Sequence, residues 1–123
     1  MSIRRDGTIH IEIQERGADG ITVVDVAGVV DTSTTLTLDE RLTNLLRDGR
    51  YRLVVNMADV TYVSSAGWGL FISLLQKTRE QGGDIKLAAL SNEVRNVFNL
   101  LAFSNLIASY KSVDEAVAAF GHD

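Results

Sequence analysis

The chain has 123 residues, 46% of them hydrophobic and 23% charged, with a net charge of −4 at pH 7 and neither cysteine nor proline. That length suits one domain with a single core, the composition is that of a soluble globular protein, and the acidic balance without a basic run argues against a nucleic-acid surface. With no cysteine there is no disulfide framework and no thiol chemistry. The opening stretch MSIRRDGTIHIEI holds no long apolar segment and no secretion signal. No run reaches the roughly 18 apolar residues of a spanning helix. The expectation is a cytoplasmic protein without membrane insertion.

TIHIEIQE, residues 8–15, alternates: Ile9, Ile11 and Ile13 face one way, and His10, Glu12 and Gln14 the other. That pattern predicts a half-buried strand, with His10 on its solvated face. GADG at 17–20 reads as a turn into a second strand, ITVVDVAG, and the two form a hairpin. From Thr35 to Arg47, Leu38, Leu42, Leu45 and Leu46 make a helical stripe. Hydroxyls crowd its start, where Thr37 and Glu40 have the spacing of a capping box. YRLVVNM, 51–57, is a continuous apolar run, as in a central strand covered on both faces. Residues 66–80 read as a second helix, ended by Gly82-Gly83. IKLAAL is a strand, 92–101 a helix, LIASY a short strand and 112–120 a last amphipathic helix. With no proline, glycine supplies most of the punctuation. The order β-β-α-β-α-β-α-β-α predicts an α/β fold: a single domain over 1–123, core about 8–120, with a mixed, mostly parallel sheet of four to five strands and about four helices.

The stretch TYVSSAGWGLF, residues 61–71, carries the chemistry. VSSAG stands where a strand's carboxyl end meets a helix's amino end. There the first helical N–H groups lack partners, and a serine oxygen can accept from them. The helix dipole favours negative charge at that point, so a phosphate on serine is tolerated. Ala66 and Gly67 keep the turn slim. A structural reading also holds, since any strand-to-helix turn favours a serine cap. Trp68 has two readings: a core residue with Phe71, Leu74 and Leu75 behind it, or an aromatic anchor in a partner interface.

Other chemistry finds little support. A nucleophile elbow needs glycine two residues before the serine, and Val63 stands there instead. The two histidines, His10 and His122, are isolated, and no metal constellation forms without cysteine. No G-x-x-x-x-G-K-[ST] occurs, so there is no P-loop. Neither cofactor nor catalysis is expected. Asp31 serves as an N-cap of the first helix or as an acidic residue on the partner side; Asp25 receives no role.

The segment from about Val54 to Ile107 resembles, without gaps, the STAS domain of bacterial anti-sigma factor antagonists. In that family a strand ends in V-[ST]-[FY]-hydrophobic-Asp-Ser-[SAT]-Gly-Leu-Gly. Here the matching residues run Val60, Thr61, Tyr62, Val63, Ser64, Ser65, Ala66, Gly67, Trp68, Gly69. Gly82-Gly83, Leu90-Ser91, Val94 and Phe98 follow the family spacing. VAGVVDTSTT is similar to its [LV]-x-G-E-[IL]-D stretch and puts Asp31 on the acidic position. The resemblance covers about nine-tenths of the chain. Three positions depart from it: Ser64 replaces the acidic residue before the acceptor serine, Val29 replaces a glutamate, and Ala102 replaces the glycine after the third helix.

The resemblance implies a phosphorylation-controlled partner switch. Ser65, rather than Ser64, falls on the serine that an anti-sigma factor serine/threonine kinase phosphorylates. A serine phosphatase would reverse the modification. The unmodified form would bind the kinase and free a sigma factor. The implied partner surface is Asp31, Thr61, Ser64, Ser65, Ala66, Gly67 and Trp68, and a weak homodimer is a further contact to expect. The alternative is a STAS regulatory or ligand-binding subunit of a transporter or another signalling complex, because fold does not fix function.

Overall fold

The computed structural model describes residues 12–18 and 20–121. The elements are β1 (Glu12–Ala18), β2 (Ile21–Val30), α1 (Thr35–Arg47), β3 (Arg52–Val63), α2 (Ser65–Glu80), β4 (Asp84–Ala88), α3 (Asn92–Leu100), β5 (Ser109–Tyr110) and α4 (Val113–Phe120), with a 3₁₀ turn at Phe103–Asn105. The start of the first predicted strand, His10 included, lies outside the described residues, as does His122.

Five strands lie in sequence order, β1-β2-β3-β4-β5. β1 and β2 are antiparallel with Ala18 opposite Ile21, and Gly20 takes φ +81° in the tight turn between them. Gly17, expected in the turn, pairs with Thr22 inside the strand. All other pairs are parallel. Consecutive parallel neighbours joined by right-handed crossovers send every connecting helix to the same face. The packing agrees: Leu38, Leu42 and Leu45 of α1, Trp68, Phe71, Leu74 and Leu75 of α2, and Val94 and Phe98 of α3 share one core with Leu53, Val55 and Met57 of β3. Leu46, the fourth leucine of the α1 stripe, is partly buried against that core.

The opposite face is smaller. Ala116 and Phe120 of α4 cover Ile21, Val23, Val54 and Ala88. Lys86 Nζ sits 4.7 Å from the centre of the Phe120 ring and 3.1 Å from Asp84 Oδ2, so its charge is held over the helix end. β3 is thus central and apolar on both faces, as its residue run predicts.

Beyond Met57 the alternation of β3 breaks. Met57, Val60 and Val63 are buried, and two exposed residues lie between each successive pair. The register explains it. Asp25 pairs with Asn56 but Ala27 with Asp59, and Gly28 pairs with Val60 but Val29 with Tyr62. β3 therefore carries two extra residues against β2, one in each irregularity. Bulges of this kind turn side chains to new directions. Here they bring Asp59 and Thr61 to the surface and turn Val60 into the core, just before the strand ends.

Candidate functional site

The carboxyl ends of β2 and β3 lie side by side, with Val30 opposite Val63. The Ser64 amide donates to Val30 O at 2.8 Å, which ties the turn after β3 to the turn after β2. Loops at the carboxyl ends of parallel strands are where open α/β sheets place their ligands.

Ser64 is the N-cap of α2. Its backbone is extended, φ −83° and ψ 173°, and its Oγ accepts from the Gly67 amide at 3.3 Å. Ser91 and Ser112 do the same for α3 and α4, accepting from Val94 and Glu115. Ser64 is therefore one of three matching serine caps among the described residues. Ser65 is different. It is the first residue of α2 and is exposed, with Ala66 exposed beside it. Its hydroxyl has no hydrogen bond to the described residues. The first turn of α2 has no acidic side chain, so the positive end of the helix dipole is left uncompensated there.

Asp31 organises the neighbouring loop. Its Oδ1 accepts from Ser33 Oγ at 2.7 Å, Ser33 N at 2.9 Å and Thr34 N at 3.2 Å. The Ser33 hydroxyl, then the backbone amides of Ser33 and Thr34, hold the carboxyl below the ordinary aspartate range. Thr34 is buried, donates to Val29 O at 2.7 Å and accepts from Asp31 N at 2.9 Å. The capping box expected from Thr37 and Glu40 does not start the helix, because Thr37 already lies inside α1 and Thr34 stands at the cap. Asp31 takes over the amides of the entering turn.

Two of the expected partner residues are buried in the free domain. Gly67 is buried, and a Cβ on it would meet Val30 Cγ1 at 2.7 Å and Val63 Cγ1 at 2.8 Å. Its slimness serves the approach of α2 to the sheet, not a partner. Trp68 is 1% exposed. Its ring stacks on Phe103 at 5.4 Å and packs against Phe98 at 5.5 Å and Phe71 at 6.1 Å. The core reading holds for the ring in the free domain, where three phenylalanines enclose it.

Sequence reasoning missed Tyr62, which is 55% exposed. Alternation carried five residues past Met57 also turns Tyr62 away from the Met57 face, because the two bulges cancel by that point; their effect falls on Asp59, Val60 and Thr61. Val97, on α3, is a second exposed apolar residue that the helical stripe did not single out. Among the described residues no group of three or more His, Asp or Glu could hold a metal, and no helix is long and apolar enough to cross a membrane.

The exposed Ser65 hydroxyl thus stands on a helix start whose turn is tied to the end of β2, next to the Asp31 loop, through the Ser64 amide. The chain belongs to the STAS domain family, whose model matches residues 12–116. The anti-sigma-B factor antagonist of Staphylococcus aureus is 26% identical over 99 residues, covering 80% of this chain and 92% of that protein. The crystal structure of an anti-sigma factor antagonist from Mycobacterium paratuberculosis superposes with a TM-score of 0.81 at 23% identity, covering 89% of this chain and 92% of the other. The anti-sigma factor antagonist SpoIIAA in its unphosphorylated form gives a TM-score of 0.76 at 16% identity over 91% of this chain and 98% of its own. The same fold is thus seen in proteins that carry the antagonist name.

Proposed function

We propose that this domain is an anti-sigma factor antagonist whose binding is switched by phosphorylation of Ser65. The observation that carries the reading is the division between the two serines: Ser64 is engaged as the cap of α2, and Ser65 is exposed on its first turn. The antagonist names of the relatives support the class of partner, and SpoIIAA has been solved both unphosphorylated and phosphorylated.

In the unmodified state the turn is neutral, and the rim of Asp31, Thr61, Ser64, Ser65 and Ala66 meets an anti-sigma factor serine/threonine kinase in the cytoplasm. The kinase then transfers the γ-phosphoryl group of ATP. A bond forms from Ser65 Oγ to phosphorus, the bond from phosphorus to the departing ADP oxygen breaks, and the hydroxyl proton passes to a base of the kinase. A serine phosphatase restores the hydroxyl by hydrolysis. The phosphate adds about −1.5 to −2 charges. At the start of α2 that charge costs the fold little, because the dipole contributes about 0.3–1 kcal/mol in its favour. At a protein interface an unpaired or like charge costs several kcal/mol. Binding is lost while folding is kept.

Mass-spectrometric mapping after incubation with the kinase and ATP tests the assignment. Phosphate is expected on Ser65. Phosphate on Ser64 alone, or on neither serine, contradicts it.

A further inference from the structure

Beside the turn lies a groove of about 160 Å³, lined by Thr61, Tyr62, Val63 and Trp68 on one side and Glu93, Val94 and Val97 of α3 on the other. Its walls are largely apolar. Tyr62 is 55% and Val97 40% exposed at its rim, and Leu101, one helical turn beyond Val97, is half exposed. Trp68 supplies a second observation. Its indole Nε1–H is buried without an acceptor among the described residues. Indole nitrogen is a donor only, and a buried donor left unpaired is destabilising.

We propose that the groove receives one apolar side chain of the anti-sigma partner, and that a backbone carbonyl beside that side chain accepts the Trp68 Nε1 proton. The inference rests on the reading above and extends its contact surface from the turn to α3. Size suits one apolar side chain: drug-sized ligand sites run to roughly 300–1,000 Å³, while a cavity of roughly 150 Å³ holds no more than a benzene-sized group. Position decides for this partner. Thr61, Tyr62 and Val63 run directly into Ser64 and Ser65, so a partner docked on the turn stands next to the groove. Nε1 is closed off in the free domain, so the carbonyl reaches it only as the groove opens on binding. The orphan donor then gains its partner only in the complex, where it adds selectivity for a main-chain acceptor.

The chain has a single tryptophan, so one indole resonance reports on the groove in a ¹⁵N–¹H spectrum. The full chain is titrated with the anti-sigma factor kinase, and the affinity of Val97→Lys is compared with wild type. The expected result is a downfield shift of the indole proton in the complex. The affinity of Val97→Lys should fall tenfold or more, with its melting temperature within a degree or two of wild type. Trp68→Phe keeps an aromatic ring in the core and should also weaken binding severalfold. An indole resonance that stays in place, or Val97→Lys binding as tightly as wild type, overturns the groove while leaving the switch at Ser65 standing. No binding of the wild-type chain to the kinase overturns both.

Discussion

Ser64 Oγ accepts the amide proton of Gly67 at 3.3 Å. That one bond divides the labour of the turn: the first serine starts the helix and the second is left exposed on it. The same bond holds Gly67 where α2 lies close against Val30 and Val63.

The division predicts unequal stability effects. Ser64→Ala removes an N-cap and should cost about 0.5–2 kcal/mol. Ser65→Ala removes a hydroxyl that bonds to none of the described residues and should change stability by less than about 0.5 kcal/mol. Urea denaturation of both variants reads the difference. Equal losses would mean that Ser65 also has a structural partner.

Gly67 and Gly69 give a second contrast on one helix. Alanine is the better helix former by about 1 kcal/mol, all else equal. Around Gly69 nothing lies within 4 Å of an added Cβ, so Gly69→Ala should stabilise by about 0.5–1 kcal/mol. At Gly67 the added Cβ meets Val30 Cγ1 at 2.7 Å, Val63 Cγ1 at 2.8 Å and Val30 O at 3.2 Å. Overpacking should outweigh propensity, and Gly67→Ala should destabilise by about 1–3 kcal/mol. Thermal melts of the pair should move in opposite directions.

Ala102 follows α3 in the left-handed region, φ 60° and ψ 23°. A side chain there costs about 1–2 kcal/mol, and glycine gives back about 0.4–1 kcal/mol through the freer unfolded chain. Ala102→Gly should therefore raise stability by about 0.5–1 kcal/mol. A lower urea midpoint would show that the methyl group packs better than its backbone strain costs.

Asp25 makes stability depend on acid. Arg16 donates to it through Nε at 2.8 Å and Nη2 at 3.2 Å, and Asn56 donates at 2.8 Å. The Arg16 hydrogen bond, the largest influence, holds the carboxyl below its ordinary 3.8. A folded value below the unfolded one stabilises the fold above about pH 4, and that share is lost as pH falls through the folded value. Arg16 is half exposed, so solvent screening keeps the pair to about 0.2–1 kcal/mol. Between pH 7 and pH 3 the wild-type urea midpoint should fall further than that of Asp25→Asn. Parallel curves would remove Asp25 from the acid response.

Much of this was legible in residue order. α1 ends where its leucine stripe ends, β3 is central because Leu53, Val54 and Val55 are apolar on both faces, and the VSSAG turn sits at the strand-to-helix junction. The true start of α1 was not legible, because Thr37 and Glu40 match the spacing of a capping box while Asp31 takes the Ser33 and Thr34 amides and Thr34 donates to Val29 O, contacts set by the loop. Nor were the inward turn of Val60 and the exposure of Thr61, because they depend on two residues inserted opposite a neighbouring strand. Trp68 was ambiguous for a related reason: one turn into a helix is compatible with core or interface, and only the three phenylalanines around it decide.

The central claim is that a charge on Ser65 breaks partner binding without disturbing the fold. Isothermal titration of the anti-sigma factor kinase with the unmodified chain, with the chain phosphorylated on Ser65, and with Ser65→Asp tests it most directly, each sample checked by its thermal melt. The account predicts binding by the unmodified chain, a loss of at least a hundredfold on phosphorylation, a smaller loss in Ser65→Asp, and melting temperatures that agree within a few degrees. Equal affinity of the phosphorylated and unmodified chains, or a loss of binding that tracks unfolding, would contradict it.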